Sequence, residues 1–230
     1  MTIEAGDRRP GRRGSLARRL AAGLAAVMLL AAGPAAAQSD KQLVEGAADY
    51  ITELSHTAIE QLGAEDISAE TRAERGRDLL EQNFAGRELA RFVLGRYWRV
   101  ADEGQRERFM TLLREVALTR FLPAFQHIDR DQISIERAID DPQAKGVARV
   151  ITRVEVPDRG PVKLGWRVRP REGGDGYEIV DIMAEGVSMA ITLRSEYASV
   201  IQQNGGRVEA LLTQLEDRLQ SDSAPDWAKN

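Results

Sequence analysis

Arg149-Val150-Ile151-Thr152-Arg153-Val154-Glu155-Val156 alternates branched and charged side chains. A strand places successive side chains on opposite faces. Val150, Thr152, Val154 and Val156 therefore share one face, and Arg149, Arg153 and Glu155 the other. One dry face and one wet face mark an antiparallel sheet rather than a parallel one buried on both sides. The flanking segments read alike. Ile133, Ile135 and Ile139 alternate with polar residues. Val162, Leu164, Trp166 and Val168 alternate with Lys163, Arg167 and Arg169. Asp140-Asp141-Pro142, Pro157-Asp158-Arg159-Gly160 and Gly173-Gly174-Asp175-Gly176 supply turns between them. A fourth strand, Tyr177 to Val187, is apolar on both faces and is expected to be central or buried.

Helical spacing surrounds this sheet. Val44, Ala47, Ile51, Leu54, Ala58 and Leu62 fall on one stripe, with Asp40 expected as the cap and Gly63 as the stop. Ser68 can cap a second helix through Leu79, Leu80 and Phe84. A third is expected from about Arg87 to Trp98. Asp102-Glu103-Gly104-Gln105 resembles a capping box. The helix it opens is apolar nearly all round in its second half, the pattern of a buried central helix, and Pro123 should kink or end it. After the sheet, helical pattern returns at Met189 to Gln202. It breaks at Gly205-Gly206 and closes with Val208, Leu211, Leu212, Leu215 and Leu219. Helices, a four-stranded antiparallel sheet and more helices give an α+β domain with an additional helical subdomain. The expected boundaries are 38–220 for the domain, with helices at about 40–125, sheet at about 131–187 and C-terminal helices at 189–220. A polar tail follows at 221–230.

The first residues read as a targeting segment. Six arginines between Arg8 and Arg19 precede an apolar run from Leu20 to Leu30, and Ala35-Ala36-Ala37 is a small-x-small cleavage site. The run falls short of the about 20 residues that a membrane span needs. Cleavage before Gln38 is expected, with an uncleaved anchor as the alternative; Sec and twin-arginine export both remain open. Without residues 1–37, which carry six Lys+Arg and two Asp+Glu, the net charge goes from −4 to −8. So acidic a domain is a poor nucleic-acid binder. The chain has no cysteine, so its core must hold it. Two histidines, His56 and His127, and no cysteine are too few ligands for a His or thiolate metal site, and nothing in the sequence calls for a cofactor.

Leu94-Gly95-Arg96-Tyr97-Trp98 followed by Gln105-Arg106 and Phe109, and far downstream Ala184-Glu185-Gly186-Val187-Ser188-Met189, are similar to the two signatures of the MlaC, or toluene-tolerance, family of periplasmic phospholipid-binding proteins. The resemblance spans roughly Asp40 to Leu219. It implies an NTF2-like sheet wrapped by helices around a greasy interior. It further implies a phospholipid ligand shuttled between an outer-membrane lipoprotein–porin complex and an inner-membrane ABC transporter with an MCE-type subunit. A sister branch associated with hopanoid lipids has a similar outline.

On that reading the candidate lipid-binding residues are Leu89, Phe92, Val93 and Tyr97 from one helix and Leu113, Val116 and Phe121 from another. Val150, Val154, Leu164, Trp166 and Val168 come from the sheet, and Met183, Val187 and Met189 from its last strand and beyond. For any one of them, ordinary core is the competing reading. Asp181 and Glu185, expected on one face of the last strand, raise an enzymatic alternative. Paired carboxylates can do acid–base work, and NTF2-like folds host isomerases and dehydratases. Neither has a histidine, a nucleophile motif or a phosphate loop beside it in sequence.

Overall fold

The computed structural model describes residues 33–156 and 160–221, with side chains from Asp40 onward. Residues 1–32, most of the expected targeting segment, and 222–230, nearly all of the expected tail, lie outside the described residues. Helix α1 spans Gly33–Gly63, α2 Ala69–Asn83, α3 Gly86–Leu94 and α4 Glu103–Phe121. Strands β1 (Ile133–Asp140), β2 (Ala148–Val156), β3 (Gly160–Pro170), β4 (Tyr177–Ala184) and β5 (Val187–Ser188) follow, then α5 (Met189–Gln203) and α6 (Val208–Gln220). Short 3-10 turns at Gly95–Arg99, Leu122–Gln126 and Arg130–Gln132 join the pieces.

The sheet is antiparallel throughout, in the order β1-β2-β3-β4-β5. It has five strands where the sequence suggested four. The expected last strand breaks at Glu185 and Gly186, which take positive φ of 47° and 83°. Ala184 pairs with Val187, so these two residues form a two-residue hairpin loop of the kind that needs positive φ at both positions. A left-handed glutamate is costly. Its local bonds offset this: Glu185 donates its backbone N–H to the Lys163 carbonyl and accepts the Lys163 N–H on Oε1 at 2.7 Å.

The period-two pattern of β2 appears in burial, since Ala148, Val150, Thr152 and Val154 are all buried. In register beside them stand Val168 and Ile179, then Trp166 and Ile182. This dry face packs against Ala47 and Ile51 of α1, with Leu43, Val44 and Leu54 beside them. The close approach of α1 requires a glycine: a Cβ on Gly46 would stand 2.0 Å from the Tyr177 hydroxyl. The interior of the sheet is thus filled by a helix rather than left open. Asp40 does not cap α1, because the helix runs through it from Gly33.

The wet face is an ion-pair layer. Arg149 and Arg167 both bond Asp141, Arg169 bonds Glu178 and Glu88, and Lys163 bonds Glu136.

A second apolar cluster joins α3, α4, α5 and α6 through Val93, Leu94, Phe109, Ile201 and Leu212. Phe109 meets Tyr197 edge-on at 6.0 Å, and burial pushes the Tyr197 phenol up to about 12. Arg108 grips Glu216 through two hydrogen bonds of 2.5 and 2.6 Å, tying α4 to α6. The caps read from sequence are present. Ser68 Oγ accepts the Thr71 N–H, and Asp102 and Gln105 form the reciprocal capping box of α4. Helix α4 ends just before Pro123, as proline dictates. The expected single helix from Arg87 to Trp98 is broken at Gly95, whose φ of 58° ends α3.

Val168 has no exposed surface and sits among Ala47, Ile51, Ala148 and Ile179. Val168→Trp should overpack this core at a cost of about 1–3 kcal/mol. Thermal melting of the lipid-stripped protein measures the effect, and an unchanged Tm would mean that the α1–sheet interface is loose.

Candidate ligand cavity

A partly open cavity of about 350 Å³ lies beyond the β4 edge of the dry face, within the helical layer. Its longest wall is one stripe of α4: Met110, Leu113, Val116, Ala117 and Phe121 recur at helical spacing. Leu89 of α3 and Met189, Ala190 and Leu193 of α5 form the facing wall. Leu80 and Phe84 close one side and Ile182 of β4 forms the floor. Small residues at Gly86, Ala117 and Ala190 leave the space unfilled; a Cβ on Gly86 would meet nothing within 4 Å. The second half of α4 is therefore not closed core as its composition suggested. Leu113 and Val116 are half-buried against the void, and Phe121 keeps 41% of its surface exposed.

Five of the fifteen residues singled out from sequence meet at this cavity: Leu89, Leu113, Val116, Phe121 and Met189. The other ten lie elsewhere. Val93 and Tyr97 are buried in the helical cluster. Val150 and Val168 are buried under α1, and Trp166 is partly buried beside them with its Nε1 donating to Thr152 Oγ1 at 3.0 Å. Val154 and Leu164 are on the same face, towards the C-terminal end of β2, and Met183 packs over Gly165 on the other face. Phe92 faces outward under the Arg194 guanidinium, 5.0 Å from its ring centre, and Val187 is exposed on β5.

Sequence reasoning missed Leu80, Phe84, Met110, Ala117, Ile182, Ala190 and Leu193. The continuation of the Leu113 stripe to Met110 and Ala117, and the Met189–Leu193 spacing on α5, were the available signals. It also missed the charged rim. Arg114 pairs with Glu81 at 3.5 Å, and Arg87 reaches Glu107 and Glu103 at 3.5 and 3.6 Å. Arg120, on the last turn of α4, also lines the cavity. Burial lowers its guanidinium to about 10 despite the nearby Glu196 and Tyr197.

The two carboxylates have structural occupations. Asp181, buried at the cavity edge, accepts Ser188 Oγ at 2.6 Å and the Ala190 N–H at 3.2 Å, which adds a second cap to α5. Glu185 holds its own hairpin to Lys163. What the cavity offers chemically is apolar contact area with guanidinium groups at its rim. The MlaC protein family matches residues 52–217.

The chain belongs to the MlaC family. The matched span takes in every wall of the cavity, from Leu80 to Leu193. A phospholipid-binding protein from Ralstonia solanacearum, solved in complex with a phospholipid, has a similar structure, with a TM-score of 0.53 at 18% identity. The superposition covers 81% of this MlaC chain and 98% of that one, so the two share the α+β fold over almost the whole of the Ralstonia protein.

Proposed function

We propose that this MlaC-family chain is a carrier that houses phospholipid acyl chains in the cavity between α3, α4, α5 and β4. The observation that carries the reading is an apolar, partly open cavity in a fold whose Ralstonia relative was solved with a phospholipid. Its volume of about 350 Å³ lies in the lower part of the range of small-molecule pockets, about 300–1,000 Å³.

Energetics favours exchange over capture. Each buried methylene is worth about 0.8 kcal/mol against water, far more in sum than the about −20 kcal/mol at which non-covalent affinity saturates. Between cavity and bilayer, however, both environments are apolar and the difference is small. Such a carrier runs near neutrality and its docking partners set the direction. On this reading the chain works in the periplasm after losing residues 1–37. It exchanges lipid with an outer-membrane lipoprotein–porin complex and an inner-membrane ABC transporter bearing an MCE-type subunit, and so maintains outer-membrane lipid asymmetry. The structural duties of Asp181 and Glu185 count in favour of a binder over an NTF2-like enzyme.

Native mass spectrometry of the exported protein, with lipid extraction, tests the proposal. A two-tailed phospholipid should co-purify with a chain that begins at or near Gln38. Lipid-free protein that turns over a small carbonyl compound would overturn it in favour of the enzyme.

A further inference from the structure

We propose that the cavity favours lipids whose headgroup is net negative, and that Arg120 sets this preference. The inference rests on the carrier reading above and adds the headgroup class to it.

The cavity is walled by three guanidinium groups and two carboxylates, in a chain whose formal charge is −4. Neither carboxylate is disposed against an anion. Asp181 is engaged with the start of α5, and Glu81 pairs with Arg114. Arg87 is drawn outward to Glu103 and Glu107, with 63% of its side chain exposed. Arg120 is placed differently. It is half-buried on the cavity wall, one residue before the half-exposed Phe121, and its guanidinium carbon stands 5.3 Å over that ring. Phe121 lines the cavity and reaches solvent, so the pair marks the passage from apolar wall to water.

A lipid with its tails against Leu113, Val116 and Leu193 would bring its phosphate to such a boundary. A guanidinium fork suits phosphate, and a hydrogen bond with an ionised partner is about twice as strong as a neutral one. A headgroup bearing its own ammonium would set that cation against Arg120 and Arg114, whereas a phosphatidylglycerol headgroup brings none. Glu196 of α5 also acts on Arg120, yet the net effect of the surroundings is to disfavour its charge. The competing reading is that Arg120 serves only the C-terminal turn of α4, where any basic residue is favoured.

Lipid-stripped protein incubated with vesicles of equal parts phosphatidylglycerol and phosphatidylethanolamine, then analysed by native mass spectrometry, separates the readings. Wild type should carry an excess of phosphatidylglycerol. Arg120→Met should lose the excess, a change in the ratio of about tenfold, equivalent to 1.4 kcal/mol. Arg120→Lys should keep most of it, and excess inorganic phosphate should leave it in place. Wild type loaded equally with both lipids would overturn the headgroup inference and leave the carrier reading standing, without depending on how any variant folds. An unchanged ratio in folded Arg120→Met, or loss of the excess to inorganic phosphate, would also overturn it. Wild type with no lipid at all would overturn the carrier reading.

Discussion

Ala117→Trp should nearly abolish lipid loading while leaving the lipid-free fold intact. Ala117 is half-buried on α4 and lines the cavity between Leu113 and Phe121. An indole there projects into open volume rather than into closed core, so little packing strain follows. Tryptophan also costs only a few tenths of a kcal/mol more than alanine in a helix. The loss falls on the ligand. Excluding only two methylenes costs about 1.6 kcal/mol at ~0.8 each, already more than tenfold in affinity, and an indole excludes more than two. Lipid per chain by mass spectrometry should therefore fall at least about tenfold. The stability of the stripped protein should stay within ~1 kcal/mol of wild type, in contrast to Val168→Trp. A folded Ala117→Trp protein with a full lipid load would remove the cavity from consideration as the binding site.

Asp141→Ala should be the most destabilising single change on the sheet. The Asp141 side chain has no exposed surface and accepts Arg167 Nε at 2.7 Å, Arg149 Nη2 at 3.1 Å and the Gln143 N–H at 2.8 Å. Removing it leaves two arginines, about four-fifths covered, facing each other across β2 and β3 without their shared anion. Breaking a buried ion pair costs 3–5 kcal/mol. The partial exposure of the arginines places this case near the low end, about 3 kcal/mol, or a Tm lower by roughly 10 °C for a domain of this size. The pH dependence gives a second check. Burial alone would raise the Asp141 carboxyl. The Gln143 N–H and the charges of Arg167 and Arg149 outweigh burial and hold it below the ordinary carboxylate range. Its contribution is then complete above the unfolded value of about 3.9 and disappears as pH falls through the lower folded value. Urea midpoints of wild type and Asp141→Ala should differ at neutral pH and converge in acid. A constant difference across that window would assign the stability to packing rather than to charge.

The sheet was legible because one residue decides one face. Val150, Val154 and Val168 announce a dry side, and Arg149, Arg153 and Arg167 a wet one, without reference to any other part of the chain. The capping box at Asp102 was legible for the same reason, since both partners lie three residues apart. The cavity was not. It depends on four elements meeting, and the sequence shows apolar stripes without showing which stripe each one touches. Helix α1 supplies a stripe as good as those of α3 and α4, and its Gly46 lets it dock where the greasy interior was expected. The space that remained therefore lies farther along, between α4 and α5. Local backbone breaks were also hidden. Gly95 sits inside an aromatic run that reads as continuous helix, and Glu185 adopts a backbone conformation that its side chain disfavours.

The described residues form two apolar clusters, and the cavity is lined from both. Phe84 and Ile182 belong to the sheet side; Leu89, Met110, Leu113 and Leu193 belong to the helical side. In the lipid-stripped protein each cluster should open as its own cooperative unit. An acyl chain seated in the space would touch both groups at once and act as shared core. Loading should then merge two foldons into one: amide hydrogens of α4 and of β4 should exchange at separate rates in the stripped protein and be protected together when lipid is bound, as hydrogen exchange would read.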